Sequence, residues 1–146
     1  IKSGKIKSFG VSNFTANQME MFKGKVEVLY NQINLSLTHL DHMFDGTLEY
    51  MQTNNILPMA YSPLGSYFKE EDSKIRKVVD KLKNKYGCTD YQLLISWLLK
   101  HPSKVYPVIG TTKSDRIKST LGSLKIEIEL IDWFELLEAS LGKRVP

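Results

Sequence analysis

The chain has 146 residues, 42% of them hydrophobic and 25% charged, with 9 Gly and 5 Pro; this is the make-up of a globular domain with a core and excludes disordered and fibrous classes. No apolar run approaches the roughly 18 to 20 residues of a membrane span, and the opening Ile1-Lys2-Ser3-Gly4-Lys5 lacks the apolar stretch of a signal peptide, so the chain reads as soluble, cytoplasmic and off the membrane. The net charge of +4 suits an anionic ligand without implying nucleic acid, and the lone Cys88 cannot form an internal disulfide.

In chain order, short β-rich runs at 6–11, 26–32, 56–61 and 105–109 alternate with helical patterns. After the first run, Thr15 and Gln18 form a capping box, in which hydroxyl and side-chain amide satisfy orphan N–H groups at a helix start, and a helix runs to about 23. After the second, Asp45 is placed to cap a helix to about 54 with Leu48 and Met51 on one face. After the third, Ser73 opens a helix whose Ile75, Val78, Val79, Leu82 and Tyr86 make one apolar stripe, ended by Gly87, with a mostly Lys opposite face. Thr89 and Gln92 repeat the capping box and start a helix that is apolar on most sides through Leu93, Leu94, Ile95, Trp97, Leu98 and Leu99, stopped by His101-Pro102. Ser114 is placed to cap a short helix carrying Arg116 and Ile117. A last helix over 129–141 holds Leu130, Phe134, Leu137 and Leu141 and ends at Gly142. Strands alternating with helices indicate βα units and a parallel sheet or barrel; with no internal repeat and no linker, 1–146 reads as one domain.

In parallel βα folds ligands gather at the C-terminal ends of strands. Those ends here are Gly10-Val11-Ser12-Asn13-Phe14, Leu29-Tyr30-Asn31-Gln32, Met59-Ala60-Tyr61-Ser62-Pro63-Leu64-Gly65 and Pro107-Val108-Ile109-Gly110-Thr111-Thr112-Lys113. They offer amides, hydroxyls, a ring face, glycines and a cation, a set that matches a ligand with an amide, an aromatic ring and phosphates; ordinary turn and cap residues are the competing reading. Elsewhere the patterns are plainer. His39-Leu40-Asp41-His42 has too few spaced ligands for a metal and reads as a polar loop. The stretch 69–85 has seven basic against four acidic residues on an amphipathic helix without interleaved aromatics, a solvated face rather than a nucleic-acid site. Met19, Met43, Met51 and Met59 read as gap fillers, and Trp97 and Trp133 as packing anchors.

Taken in order, Gly10-Val11-Ser12-Asn13-Phe14, Asn31-Gln32-Ile33-Asn34-Leu35-Ser36, Ala60-Tyr61-Ser62-Pro63-Leu64-Gly65 and Ile109-Gly110-Thr111-Thr112-Lys113 with Arg116 resemble the C-terminal half of the aldo-keto reductases, along essentially the whole chain. With Trp133-Phe134, the likeness is greatest to a bacterial branch with a Gly-Thr-Thr loop. The resemblance implies the second half of a (β/α)8 TIM barrel, strands five to eight with a C-terminal helix. It also implies NADPH as cofactor and small aldehydes or ketones as substrates of hydride transfer. By that likeness Ser12, Asn13 and Gln32 bind the nicotinamide carboxamide and Tyr61 stacks on the ring. Ser62, Leu64 and Gly65 wrap the pyrophosphate, and Gly110, Thr111, Thr112 and Lys113 hold the adenosine phosphate. Arg116 lies against the 2′-phosphate, which favours NADP over NAD.

The chain departs from the family in two ways. Ser119-Thr120 stand where Glu-Asn often contacts the adenine. The family's catalytic Asp, Tyr, Lys and His belong to its first half, and no residue here matches them, His39, His42 and His101 included. The chain is therefore expected to be inactive alone, a cofactor half-site of a reductase; the alternatives are a non-catalytic NADPH-binding or interaction module and a different phosphate-binding barrel. Its 146 residues are a little over half of the roughly 250 of a full barrel, and open strand edges are expected to pair with a second copy or with the other half.

Overall fold

A computed structural model of the chain describes residues 1–69 and 74–145. Four strands, β1 (Phe9–Ser12), β2 (Val28–Asn34), β3 (Leu57–Tyr61) and β4 (Tyr106–Pro107), form one parallel sheet in sequence order. Parallel neighbours need a crossover, which is usually helical. Here α1 (Ala16–Glu20) links β1 to β2, α2 (Asp41–Phe44) and α3 (Thr47–Thr53) link β2 to β3, and α4 (Lys74–Tyr86) and α5 (Asp90–Leu99) link β3 to β4. Then α6 (Ser114–Leu121) and α7 (Leu130–Leu141) follow. An order that never reverses is that of part of a (β/α)8 barrel and not of a doubly wound sheet.

Both capping boxes form as the sequence predicts: Thr15 N–H donates to Gln18 Oε1 at 2.9 Å and Thr89 N–H to Gln92 Oε1 at 3.1 Å, with the reciprocal bonds to each Thr hydroxyl. Gly87 follows α4 and Gly142 caps α7, both at positive φ. Two expected caps differ. Gly46, not Asp45, holds the N-cap of α3, and the Asp45 carboxylate reaches past it to accept the Thr47 N–H at 2.8 Å. Lys113 holds the N-cap of α6, so Ser114 is its first helical residue, and Thr111 Oγ1 accepts the Lys113 N–H at 3.2 Å instead. The expected polar loop at 39–42 contains the start of α2, with His42 Nδ1 3.0 Å from Asp45. Ser73 lies outside the described residues.

Strand lengths also shift from the sequence pattern. The apolar run at 6–11 pairs with β2 only from Phe9, and Ile6 is exposed because no strand lies beside it. Only two residues of 105–109 form β4, whose Pro107 has no N–H to donate; one further bond, Val108 N–H to Ala60 O at 2.8 Å, continues the pairing.

Alternation along the strands separates two faces. Ile33, Pro58 and Ala60 are buried toward the helices with Leu48, Met51, Leu93 and Leu94. The opposite face carries Ser12, Tyr30, Gln32, Asn34, Leu57, Met59 and Tyr61, all exposed or half-buried. Helix α5 lies deepest, as its apolar girth predicts. Trp97 and Trp133 of α7 stack with centroids 5.2 Å apart and planes 10° from parallel, and each indole N–H donates to the other's backbone carbonyl, at 3.1 and 2.9 Å.

The Lys-rich face of α4 is solvated as the sequence suggests, with Lys74, Lys77, Lys81 and Lys85 exposed, and several of its lysines are ion-paired. Lys81 pairs with Glu135 at 2.8 Å, Lys83 with Asp90 at 3.0 Å, and Lys85 with Asp132 at 2.7 Å. Asp132 also accepts the Tyr86 hydroxyl at 2.5 Å. Burial pushes the Asp132 carboxyl up, but the hydrogen bonds from Lys85 and Tyr86 outweigh it and hold the group below its ordinary value. Among the described residues no helix is long and apolar enough to cross a membrane.

Candidate functional site

The C-terminal ends of β1, β2 and β3 and the segment after β4 lie side by side, so the four polar motifs converge on one end of the sheet. Register does this directly: Ser12 pairs with Gln32, Gln32 with Met59, and Asn34 with Tyr61, each pair sharing a face. The Gln32 carbonyl accepts both the Asn13 N–H at 2.9 Å and the Ser12 hydroxyl at 3.0 Å, and Asn13 Oδ1 accepts the Asn34 N–H at 3.3 Å. Asn13 and Ser62 both take left-handed backbone, at φ 54° and 49°. For Asn this is well tolerated; for Ser it is a strained position at the end of β3.

After Ser62 the chain turns tightly, with Gly65 N–H on Ser62 O at 2.8 Å. Gly65 sits at φ +53°, and a Cβ there would collide with Thr38 Oγ1 and Ser36 Oγ. The next N–H, of Ser66, donates to Thr38 Oγ1 at 2.9 Å, so the loop after β3 is stitched to the loop after β2. Further on, Tyr67 is buried, donates to Asp90 at 2.9 Å, and lies 4.9 Å beneath the Arg76 guanidinium. Burial and the carboxylate of Asp90 push the Tyr67 hydroxyl far above its usual value. Tyr86 is raised too, by burial and Asp132. Both phenols tie α4 to its neighbours, Tyr67 through Arg76 and Asp90 and Tyr86 through Asp132.

A cleft of about 430 Å³ lies between the loops after β3 and β4, lined by Tyr61, Ser62, Leu64, Gly65, Gly110, Thr111 and Arg116, with Tyr91 at its side. It adjoins a second hollow of about 470 Å³ lined by Leu64, Phe68, Thr89, Tyr91, Arg116 and Ser119. Among the described residues, Arg116 is the only charged one in either lining. Of the residues singled out in the sequence, Ser12, Asn13 and Gln32 stand on the neighbouring strand ends, outside the cleft. Thr112 and Lys113 are exposed beyond it.

Sequence reading missed Tyr91 and Phe68. Tyr91 lies in the first turn of α5, 29 residues from Thr120, yet their hydroxyls are 3.0 Å apart. Thr120 Oγ1 also donates to Arg116 O at 2.7 Å; with one proton on each hydroxyl, Tyr91 then donates to Thr120. Gln92 Nε2 joins the same two helices through Ser119 O at 2.9 Å. Only a polar residue at the mouth of an otherwise apolar helix signals this in the sequence. A comparable hollow of about 430 Å³ at the opposite end of β2 includes Lys23, already 3.0 Å from Glu20.

A family model described as the aldo/keto reductase family matches residues 1–139. An uncharacterised oxidoreductase, YcsN, of Bacillus subtilis is 34% identical over 152 residues, spanning 99% of this chain and 51% of its own length. A 6-dehydroglucose reductase of Agrobacterium fabrum is 34% identical over 149 residues, with 99% and 50% covered. An NADPH-dependent alpha-keto amide reductase of Saccharomyces cerevisiae is 34% identical over 139 residues, with 90% and 44% covered. Among solved structures, a thermostable aldo-keto reductase, Tm1743, superposes with a TM-score of 0.85 at 24% identity over 94% of this chain and 50% of that one. An aldo-keto reductase of Bombyx mori in complex with NADP does so at 0.81 and 22%, over 94% and 46%. The chain spans about half the length of the curated relatives it matches.

Proposed function

The chain belongs to the aldo/keto reductase family, and from that premise we propose that it is the cofactor-holding half of a cytoplasmic, NADPH-dependent reductase of small aldehydes and ketones. One observation carries the reading: the amide group of Ser12, Asn13 and Gln32, the Tyr61 ring and the cleft ending at Arg116 lie along one end of the sheet, on separate elements. The residues fit an extended dinucleotide. The cleft has room beside an aromatic ring, its Gly65 permits close approach of backbone, and the charge that Arg116 brings to it is positive, as a phosphate needs.

In this reading Ser12, Asn13 and Gln32 orient the carboxamide of the nicotinamide, and Tyr61 offers its face so that one side of the ring is presented to substrate. Ser62, Leu64 and Gly65 take the pyrophosphate. Gly110, Thr111, Thr112 and Lys113 take the adenosine phosphates at the start of α6, whose N–H groups favour anions. Arg116 selects the 2′-phosphate. Bound there, NADPH supplies the hydride. In this reading the proton for the carbonyl oxygen comes from the first half, since no residue of this chain matches the family's catalytic Asp, Tyr, Lys and His. Support for NADP comes also from the yeast relative and the silkworm structure.

The surface fits a half-barrel that pairs. Ile117, Leu121 and Leu124 leave an apolar row exposed on and after α6, Met21 at the end of α1 is 69% exposed, and Leu57 and Met59 are only half-buried on the helix-free face. We infer that four further βα units, or a second copy, cover them. The test is to titrate the chain with NADPH and NADH, alone and with the first half supplied. Preference for NADPH, and its oxidation by a simple aldehyde only with the first half present, are expected. No NADPH binding in either case overturns the proposal, and binding without turnover across aldehydes, ketones and quinones favours a non-catalytic NADPH-binding module.

A further inference from the structure

The helix-facing side of the sheet is apolar except at one place. Asn31 of β2 is fully buried, with its amide nitrogen 3.5 Å from the sulfur of Met19 and 3.8 Å from that of Met51. Leucine would pack there as well, and an amide costs desolvation unless its hydrogen bonds are complete. Its strong partners are both on one residue: Asn31 Nδ2 donates to Phe14 O at 2.7 Å, and Phe14 N–H donates to Asn31 Oδ1 at 3.3 Å, with the two methionine sulfurs as weak acceptors of the second amide hydrogen. Phe14 directly follows Asn13, the residue held in left-handed backbone at φ 54°. Asn13 and Ser12 in turn rest on the Gln32 carbonyl, one residue along β2 from Asn31.

We propose that Asn31 is a positioning residue for the nicotinamide end of the site: its two-point grip on Phe14 holds the turn after β1 so that Ser12 and Asn13 stay aligned with Gln32. The inference rests on the NADPH reading above. Because Asn31 faces the helices and Gln32 the opposite side, Asn31 acts through the backbone and never meets the ligand. Its loss therefore affects one end of the dinucleotide, while the Leu64–Arg116 end, on other loops, keeps its grip.

The test is calorimetric titration of the whole protein and of Asn31→Leu and Asn31→Asp variants with NADPH and with adenosine 2′,5′-bisphosphate, which has the adenine and 2′-phosphate but no nicotinamide. For Asn31→Leu, NADPH affinity falls at least about tenfold while bisphosphate affinity stays within about twofold. Asn31→Asp behaves alike at neutral pH and recovers toward about pH 5, because a buried carboxyl without a cation is readily protonated and then both accepts from Phe14 N–H and donates to Phe14 O. Equal loss of both ligands makes Asn31 a structural residue only and overturns the proposal, as does unchanged NADPH affinity. If Asn31→Leu does not fold, the pH response of Asn31→Asp decides, and absence of recovery overturns it. Failure of the unaltered protein to bind either ligand overturns the cofactor reading itself.

Discussion

Replacing Gly65 by Ala tests how tightly the loop after β3 is fitted. Two costs add. The backbone at φ +53° is disfavoured for a residue with a Cβ by about 1 kcal/mol. The new methyl also overlaps Thr38 Oγ1 and Ser36 Oγ, and moving Thr38 away gives up the part-buried hydrogen bond it accepts from Ser66 N–H, at about 1–2 kcal/mol. The sum, about 2–3 kcal/mol, is a large share of the 5–15 kcal/mol that holds a typical domain together. Urea unfolding followed by circular dichroism measures it. Gly24→Ala is the control, since Gly24 is at φ +76° with nothing within 4 Å of its would-be Cβ, and it should cost only the backbone part. Adding Thr38→Ala to Gly65→Ala should return part of the loss. If Gly65→Ala costs no more than Gly24→Ala, the fitted-loop argument is wrong.

Trp133→Phe keeps a ring against Trp97 but removes the N–H that satisfies the Trp97 carbonyl, so it should destabilise by about 2 kcal/mol, against about 3–5 kcal/mol for Trp133→Ala; thermal melts compare the two. The lowered pKa of Asp132 means that its native form binds its proton less readily than the unfolded form. Its contribution is thus complete above about pH 4 and is lost as pH falls through the depressed native value. Stability should drop on acidification below that point, and Asp132→Asn, less stable at neutral pH, should show a shallower drop. Arg116→Ala should weaken NADPH binding about tenfold while leaving NADH nearly unchanged, as read by fluorescence titration; equal effects on both would remove Arg116 from the 2′-phosphate.

Local physics was legible in the sequence. The boxes at Thr15/Gln18 and Thr89/Gln92, the stripe of α4 and the all-round apolar α5 each depend on residues within a turn or two of one another, and all of them form. The order of the four polar motifs was equally visible, because parallel βα units place every strand's end on the same rim. What failed were boundaries set by distant partners. Ile6 is as apolar as a strand residue, but no neighbouring strand lies beside it. Asp45 and Ser114 have capping side chains, but the chain enters each helix one residue away, through Gly46 and Lys113.

The sequence by itself determined the type and succession of elements and the chemistry of the rim. Tertiary structure alone decided that Tyr91, on a packing helix, joins the cleft with Arg116, and that the α4 lysines meet carboxylates of α5 and α7. It also decided that Asn31 spends its amide on Phe14 instead of on a ligand. Each is a contact across 17 or more residues, apart from Lys83 with Asp90 seven residues on, and periodicity carries no information about such pairs. They arise only when the register of the strands and the packing of the helices have fixed which faces meet.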